Sequence, residues 1–156
     1  MSGTGAPAMS VDGSGLRVGV VASSWHGTVM DGLLGGAHQA LARSGVLRAE
    51  VMRVPGAFEL PLGAATLLSR CDCVVALGVV IRGGTPHFDF VCRAATDGLL
   101  RASLDAGRPV GFGLLTCDDE AQALDRAGLA DSHEDKGAEA AEAAVAMAVL
   151  LRSDAG

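Results

Sequence analysis

Apolar segments and helical patterns alternate along almost the whole chain, and this alternation limits the possible folds more than any other feature. Strands are predicted over 16–23, 50–54, 73–79 and 109–116. Helices are predicted over 27–44, 57–70, 87–105, 118–127 and 137–152. Because parallel strands need crossover helices that cover both faces of the sheet, the pattern predicts an α/β fold. We expect a three-layer α/β/α sandwich around a four-stranded parallel sheet.

The length and the ends of the chain bound its organisation. A chain of 156 residues is long enough for one ordinary core, so we expect a single domain over residues 16–156. Residues 1–15 have no basic start and no apolar run, which indicates a flexible N-terminal arm and not a signal peptide. The apolar run over 143–151 is much shorter than the roughly 20 residues that a membrane span needs.

Charge and composition argue against nucleic-acid and membrane partners and favour association with further copies of the chain. The net charge is −6 and the basic residues are scattered, which argues against nucleic-acid and anionic membrane surfaces as partners. Charged residues make up only 19% of the chain and hydrophobic residues 49%, whereas soluble domains usually carry about 25% charge. So little charge covers a lone domain poorly, and a homo-oligomer is expected.

The four cysteines lie in apolar segments, as small buried thiols usually do. Only one residue separates Cys71 from Cys73, and no further Cys or His pair complements them. Zinc ligands need a different spacing, so no metal site is predicted. Reduced thiols favour a cytoplasmic location.

The functional site is expected at the carboxyl edge of the sheet, where ligands of open parallel sheets bind. Ser23–His26 follow the first strand, Gly56–Glu59 follow the second, and the stretch IRGGTPHFD (81–89) follows the third. The N–H groups of Gly83, Gly84 and Thr85 could bind a phosphate at the start of the next helix. Alternatively, the glycines could serve only a tight turn. No GxGxxG or GxxxxGK[ST] motif points to a nucleotide.

Three single residues near this edge have more than one interpretation. His87 lies in the first helical turn, where the helix dipole favours a neutral imidazole that can accept a proton, although a merely solvated histidine is also possible. Trp25 could stack on a planar heterocycle or pack beneath a loop. Arg126 could bind a phosphate with two nitrogens or be an ordinary surface residue at a helix end.

Lysine and serine chemistry receive less support. Lys136, the only lysine, could form an imine or bind phosphate, but its acidic neighbours favour charge neutralisation. Ser23 and Ser24 have neither a nucleophile elbow nor evident His and Asp partners, so a serine hydrolase is not supported.

Six collinear segments resemble the 6,7-dimethyl-8-ribityllumazine synthase family, and the wording is closest to actinobacterial members. The resemblance covers nearly the whole chain from Leu16, with Trp25-His26 in place of the more usual Phe-Asn. The segments are VVASSWHG (20–27), VPGAFELP (54–61), ALGVVIRGGTPHFDFV (76–91), GLLT (113–116), QALDRAG (122–128) and KGAEAA (136–141).

The resemblance implies a flavodoxin-like fold and a transferase of riboflavin biosynthesis that needs no cofactor. Such an enzyme condenses 5-amino-6-(D-ribitylamino)uracil with 3,4-dihydroxy-2-butanone 4-phosphate to 6,7-dimethyl-8-ribityllumazine, releasing phosphate and water. It further implies a homo-oligomer, at least a pentamer and possibly a 60-subunit icosahedral shell, with riboflavin synthase as a possible partner.

The same resemblance implies roles for individual residues. His87 would be the general acid/base, and Gly84, Thr85 and Arg126 would bind the phosphate. Further candidates are Gly83, His26 and Lys136. The pyrimidine ring and ribityl chain would be held by Trp25, Ala57, Phe58, Glu59, Val79, Val80, Ile81 and, from an adjacent subunit, Phe112.

Two other functions remain open at this point. A shell subunit that has lost turnover would assemble without making product. A flavin or pterin carrier would bind its ligand and leave the phosphate loop unused.

Overall fold

The computed structural model describes residues 10–155, and in these the predicted alternation of strands and helices is confirmed. A 3₁₀ turn over Ala57–Glu59 precedes the second helix. The strands are β1 (Val18–Ser23), β2 (Ala49–Val54), β3 (Cys73–Ile81) and β4 (Val110–Cys117). The helices are α1 (Gly27–Arg43), α2 (Leu60–Leu68), α3 (His87–Ala106), α4 (Glu120–Leu124) and α5 (Lys136–Asp154).

The sheet has four parallel strands in the order β2-β1-β3-β4. Successive strand residues face opposite sides, so Val20 packs in one core with α1 and α5, whereas Val21 packs in a second core with α2 and α3. The predicted three-layer α/β/α sandwich is therefore confirmed. All four strands end at the same edge, which places the loops after β1, β2 and β3 together.

Local sequence explains where several helices begin and end. Gly107 has a left-handed φ of 60° and ends α3, as a glycine beyond the last helical turn commonly does. Pro61 lies in the first turn of α2, where it costs no helical hydrogen bond. The helix predicted over 118–127 is shorter in the structure, because Ala127 pairs with Asp135 in an antiparallel bridge and the chain leaves the helix.

Helix α1 lies unusually close to α5 and to the chain segment before it. A Cβ atom at Gly137 would come within 2.1 Å of the carbonyl oxygen of Leu33. One at Gly32 would come within 2.3 Å of the carbonyl oxygen of Ala127. Glycine is therefore required at both positions by close backbone approach.

Contacts with the domain extend into the N-terminal segment that precedes β1. Gly13 N–H donates to the carbonyl of Ser44 at 2.7 Å, so contacts with the domain begin before Leu16. The flexible arm predicted for residues 1–15 otherwise falls mostly on residues 1–9, which lie outside the described residues.

Many large apolar side chains lie on the described surface. Within residues 10–155, no helix combines the length and apolar character needed to cross a bilayer. Large apolar side chains are nevertheless exposed on several elements, among them Trp25, Phe58, Leu62, Phe90, Leu100, Leu104, Phe112 and Leu150. Exposed apolar area of this extent is typical of surfaces that contact other protein chains.

The four thiols are free, and three of them, Cys71, Cys73 and Cys117, are buried. Burial raises the pKa of all four thiols, and it raises the pKa of Cys73 to about 12. Each thiol therefore stays protonated at neutral pH and packs as a small apolar side chain.

Candidate functional site

A cleft at the carboxyl edge of the sheet collects most of the residues that the sequence predicted to bind a substrate. Its volume is about 310 Å³. We call it the first cleft, and it is lined by Trp25, His26, Gly56, Ala57, Phe58, Glu59, Val79, Val80, Ile81, His87 and Val91. The carboxyl-edge rule thus brings together residues that are up to 66 positions apart in the sequence, from 25 to 91.

The loop after β1 presents an aromatic ring at the rim of this cleft. Trp25 is 68% exposed, so its ring is not packed beneath a loop and is available to stack on a ligand. His26 has a left-handed φ of 58° and forms the N-cap of α1. Its ring centroid lies 6.5 Å from that of Trp25. Ser24 Oγ donates to the carbonyl of Val54 at 2.8 Å and so ties this loop to the end of β2.

The loop after β2 forms the opposite wall through the 3₁₀ turn. Gly56 N–H donates to Oε2 of Glu59 at 2.9 Å, which closes the turn on itself. Phe58 is 64% exposed, whereas Ala57 in the same turn is buried. The wall therefore combines an apolar ring with a fixed carboxylate.

The glycine loop, residues 83–86, lies between Arg82 at the end of β3 and the start of α3, beside the first cleft. α3 begins at His87, and the N–H of His87 lies 3.4 Å from Oγ1 of Thr85. Neither Gly83 nor Gly84 has a positive φ, and a Cβ at either would meet no atom within 4 Å. The interpretation that these glycines serve only a tight turn is therefore not supported. Their open backbone lies at the positive end of the 20-residue helix α3, where an anion is stabilised.

The structure places the other predicted residues elsewhere on the same chain. Phe112, Arg126 and Lys136 line a second cleft of about 490 Å³ between β4 and α5. The rest of this second cleft is formed by Gly113, Leu114, Leu115, Thr116, Cys117, Glu139, Ala140 and Ala143. Within one subunit, Arg126 thus lines a different cleft from the one that His87 lines.

Lys136 in the second cleft is held by two carboxylates. Its Nζ contacts Glu134 and lies 2.8 Å from Oε2 of Glu139, and its side chain is only 13% exposed. Burial disfavours the charged ammonium, but the hydrogen bonds with Glu134 and Glu139 outweigh it and raise the pKa of Lys136. An imine requires a neutral amine, so the predicted charge-neutralising role fits better than covalent catalysis.

Arg126 is tied to the same segment through the backbone. Its Nη1 donates to the carbonyl of Gln122 at 2.9 Å, and its own carbonyl accepts from the N–H of Lys136 at 3.0 Å. Glu134 N–H likewise donates to the carbonyl of Asp125 at 3.0 Å. These bonds hold two cations, Arg126 and Lys136, at fixed positions in one cleft.

Sequence reasoning missed several residues that line the two clefts. Gly56 and Val91 both lie inside segments that the sequence analysis quoted, but neither was given a role. Glu139 follows Lys136 by three residues, a spacing that places both on one helix face and could have identified it. Thr116 at the end of β4 carried no comparable signal.

Comparison with known proteins gives one consistent result. Residues 15–152 match the family model described as 6,7-dimethyl-8-ribityllumazine synthase. A relative of that name from Kineococcus radiotolerans is 63% identical, with 97% of this chain and 95% of the relative covered. A relative of the same name from Kocuria rhizophila is 62% identical, with 97% of this chain and 99% of the relative covered. Another from Streptomyces avermitilis is 61% identical, with 98% of this chain and 96% of the relative covered. The family resemblance inferred from six sequence segments is confirmed.

Proposed function

The chain belongs to the 6,7-dimethyl-8-ribityllumazine synthase family and is a transferase of riboflavin biosynthesis, and we propose that its reaction takes place in the first cleft. The reaction condenses 5-amino-6-(D-ribitylamino)uracil with 3,4-dihydroxy-2-butanone 4-phosphate to 6,7-dimethyl-8-ribityllumazine, phosphate and two waters. The observation that supports the location is the single cleft that collects Trp25, the 57–59 turn, the end of β3 and His87.

The chemistry requires proton transfers but no hydride transfer. The amine of the pyrimidine attacks the ketone and loses water to form an imine, after which phosphate is eliminated. The second nitrogen then closes the ring with loss of another water. Each step moves a proton, and of the two histidines that line the first cleft we assign His87, at the start of α3, as the general acid/base.

The other residues of the first cleft act by binding and orientation. Trp25 stacks on the pyrimidine ring, while Ala57, Phe58 and Glu59, with Val79, Val80 and Ile81, hold the ring and the ribityl chain. His26 lies beside Trp25 at the rim. Holding two substrates in contact contributes up to roughly 7–11 kcal/mol to the acceleration of a bimolecular step.

The phosphate of the second substrate is proposed to bind Gly84 and Thr85, with Gly83 beside them, together with Arg126. Since Arg126 lines the second cleft of its own chain, we propose that the second cleft of a neighbouring subunit faces the first cleft. Phe112 then reaches the substrates from the same neighbour, and Lys136 supports Arg126 there. The exposed apolar surface supports such an assembly.

The assembly is proposed to be at least a pentamer, with a 60-subunit icosahedral shell as its largest form. Riboflavin synthase is a partner to test with the assembled protein, because it belongs to the same biosynthesis. The free, buried thiols support a cytoplasmic location.

The reaction can be tested directly with purified protein and the two substrates. Lumazine absorbance and phosphate release should rise together in equal amounts. His87→Ala should lower kcat by about 10² to 10⁴-fold, the usual contribution of general acid–base catalysis. His38→Ala, an exposed histidine on α1, is the matched control and should leave kcat unchanged. Absence of lumazine with assembled wild-type protein would favour a shell subunit or a flavin carrier instead.

The shared site can be tested with two variants, assayed at a butanone phosphate concentration well below KM, where both are impaired. His87→Ala retains an intact second cleft, and Arg126→Ala retains an intact first cleft. When the two are refolded together, about a quarter of the sites in randomly mixed rings combine two intact clefts. Recovery of about that share of the wild-type activity supports a shared site, whereas mixed assemblies that stay as impaired as the average of their parents would contradict it.

A further inference from the structure

The side chain of Arg82 makes several contacts that have no role in the proposed reaction itself. Its Nε donates to Oδ1 of Asp118 at 3.0 Å, just beyond β4. Its Nη1 donates to Oδ1 of Asp89 at 3.4 Å, in the first turn of α3. Its Cζ lies 4.2 Å from the ring centroid of Phe88, a distance that permits a cation–π contact. One side chain therefore contacts the chain on both sides of the glycine loop.

The backbone of Arg82 adds a further connection. Its N–H donates to the carbonyl of Cys117 at 2.9 Å, which continues the pairing of β3 with β4 by one residue. The next residues, from 83 to 87, are all exposed. Cβ atoms at Gly83 and Gly84 would find no neighbour within 4 Å. The conformation of the glycine loop is thus set mainly by the residues that flank it.

We propose that Arg82 is a positioning residue that fixes the glycine loop and His87 relative to the first cleft. Its guanidinium joins the end of β3 to the end of β4 and to the first turn of α3, the turn that begins with His87. The inference rests on the proposed function, because the loop is taken to bind the phosphate of the second substrate.

An alternative role for Arg82 is direct binding of that phosphate. The contacts argue against it, because two of its nitrogens already donate to carboxylates and these carboxylates offset its charge. The two roles predict opposite effects of Asp118→Asn. Removing a negative charge and releasing the guanidinium should tighten phosphate binding if Arg82 is a ligand. Replacing the charge-assisted bond by a weaker neutral one should weaken phosphate binding if Arg82 positions the loop.

The experiment compares wild type with Arg82→Gln, Arg82→Lys and Asp118→Asn. Misplacement of a loop by about 1 Å costs up to 10²-fold. We therefore expect all three variants to lower kcat/KM for the butanone phosphate, and Arg82→Gln should lower it by about 10 to 100-fold. KM for the pyrimidine should change by less than about twofold. Lysine keeps the charge but lacks the planar fork, so it should not restore the wild-type value. Arg101→Gln, which breaks the Arg101–Asp105 pair on α3, is the matched control.

Binding of inorganic phosphate, followed by ³¹P NMR, provides a measurement that needs no turnover. Weaker phosphate binding in Arg82→Gln and Asp118→Asn supports the positioning role, even if wild type makes no lumazine and the proposed function fails. The positioning role is overturned if Asp118→Asn binds phosphate as tightly as wild type or more tightly, or if Arg82→Lys restores the wild-type value. The proposed function still stands in that case as long as wild type makes lumazine. Wild type that binds no phosphate at all also overturns the positioning role.

Discussion

Two glycines on the same helix are expected to respond in opposite ways to the same substitution. Gly32 and Gly35 lie three residues apart in α1. A Cβ at Gly32 would lie 2.3 Å from the carbonyl oxygen of Ala127 and 3.0 Å from Cδ2 of Leu129, whereas one at Gly35 would meet nothing within 4 Å. Alanine favours a helix over glycine by about 0.8 to 1 kcal/mol at either position. Gly35→Ala should therefore stabilise the protein by about that amount.

At Gly32 the gain in helix propensity is opposed by a collision with backbone. An ordinary contact begins near 3.4 Å, so α1 and residue 127 would have to separate by about 1 Å. Overpacking of this kind costs about 1 to 3 kcal/mol. Because the propensity gain is common to both variants, this cost is also the expected difference between them. At about 2 to 4 °C per kcal/mol, Gly32→Ala should unfold about 2 to 12 °C below Gly35→Ala.

Differential scanning calorimetry of the two variants at one protein concentration measures this difference, since assembly makes the unfolding temperature depend on concentration. Ala127 follows Arg126 directly, so Gly32→Ala should also raise KM for the butanone phosphate, and Gly35→Ala should not. If Gly32→Ala is as stable as Gly35→Ala, the close approach of α1 to residue 127 is wrong, and the account of how Arg126 is held falls with it.

Three further perturbations concern the clefts and their surroundings. Arg126→Ala should raise KM for the butanone phosphate by about 10-fold or more, because a charge-assisted contact is lost, and KM for the pyrimidine should change little. Steady-state kinetics with each substrate varied measures both values, and a change confined to the pyrimidine would contradict the assignment. Binding of a pyrimidine analogue should quench the fluorescence of Trp25, the only tryptophan, and an unchanged emission would contradict stacking. A hydrogen bond with Asp125 raises the pKa of His133, and the same bond lowers the pKa of Asp125. The stability that a raised histidine pKa contributes is present at low pH and is lost as pH rises through that pKa. His133→Ala should therefore lower the unfolding temperature more at pH 6 than at pH 9. An equal decrease at both pH values would refute the pairing.

Most of the fold was predictable because each element carries its own local signal. The continuous apolar run of β3 indicates a strand buried on both faces, and Gly45 and Gly107 mark helix ends through their positive φ. The short α4 was not predicted in its true length. Its end is set by pairing of residue 127 with residue 135, which the periodicity of the helix itself does not contain.

The first cleft was predictable for a similar reason, because the carboxyl-edge rule depends only on strand direction. The separation of the second cleft from the first cleft within one chain was not predictable. The residues Phe112, Arg126 and Lys136 come together only because β4 lies at the edge of the sheet and α5 crosses over it. Strand order and helix placement are long-range properties, and the motifs for the phosphate site did not separate Arg126 from the glycine loop. Only the family resemblance implied a contribution from a neighbouring subunit, and it did so through Phe112.

The protonated thiols described above also make the chain easy to modify chemically. Maleimide dyes react with the thiolate, and the raised pKa values leave little of it on any of the four native cysteines at neutral pH. A new cysteine at an exposed position such as Ser69 should react first. A fluorophore can then be attached at one chosen point without first removing the native cysteines, which suits optical counting of the subunits in each particle.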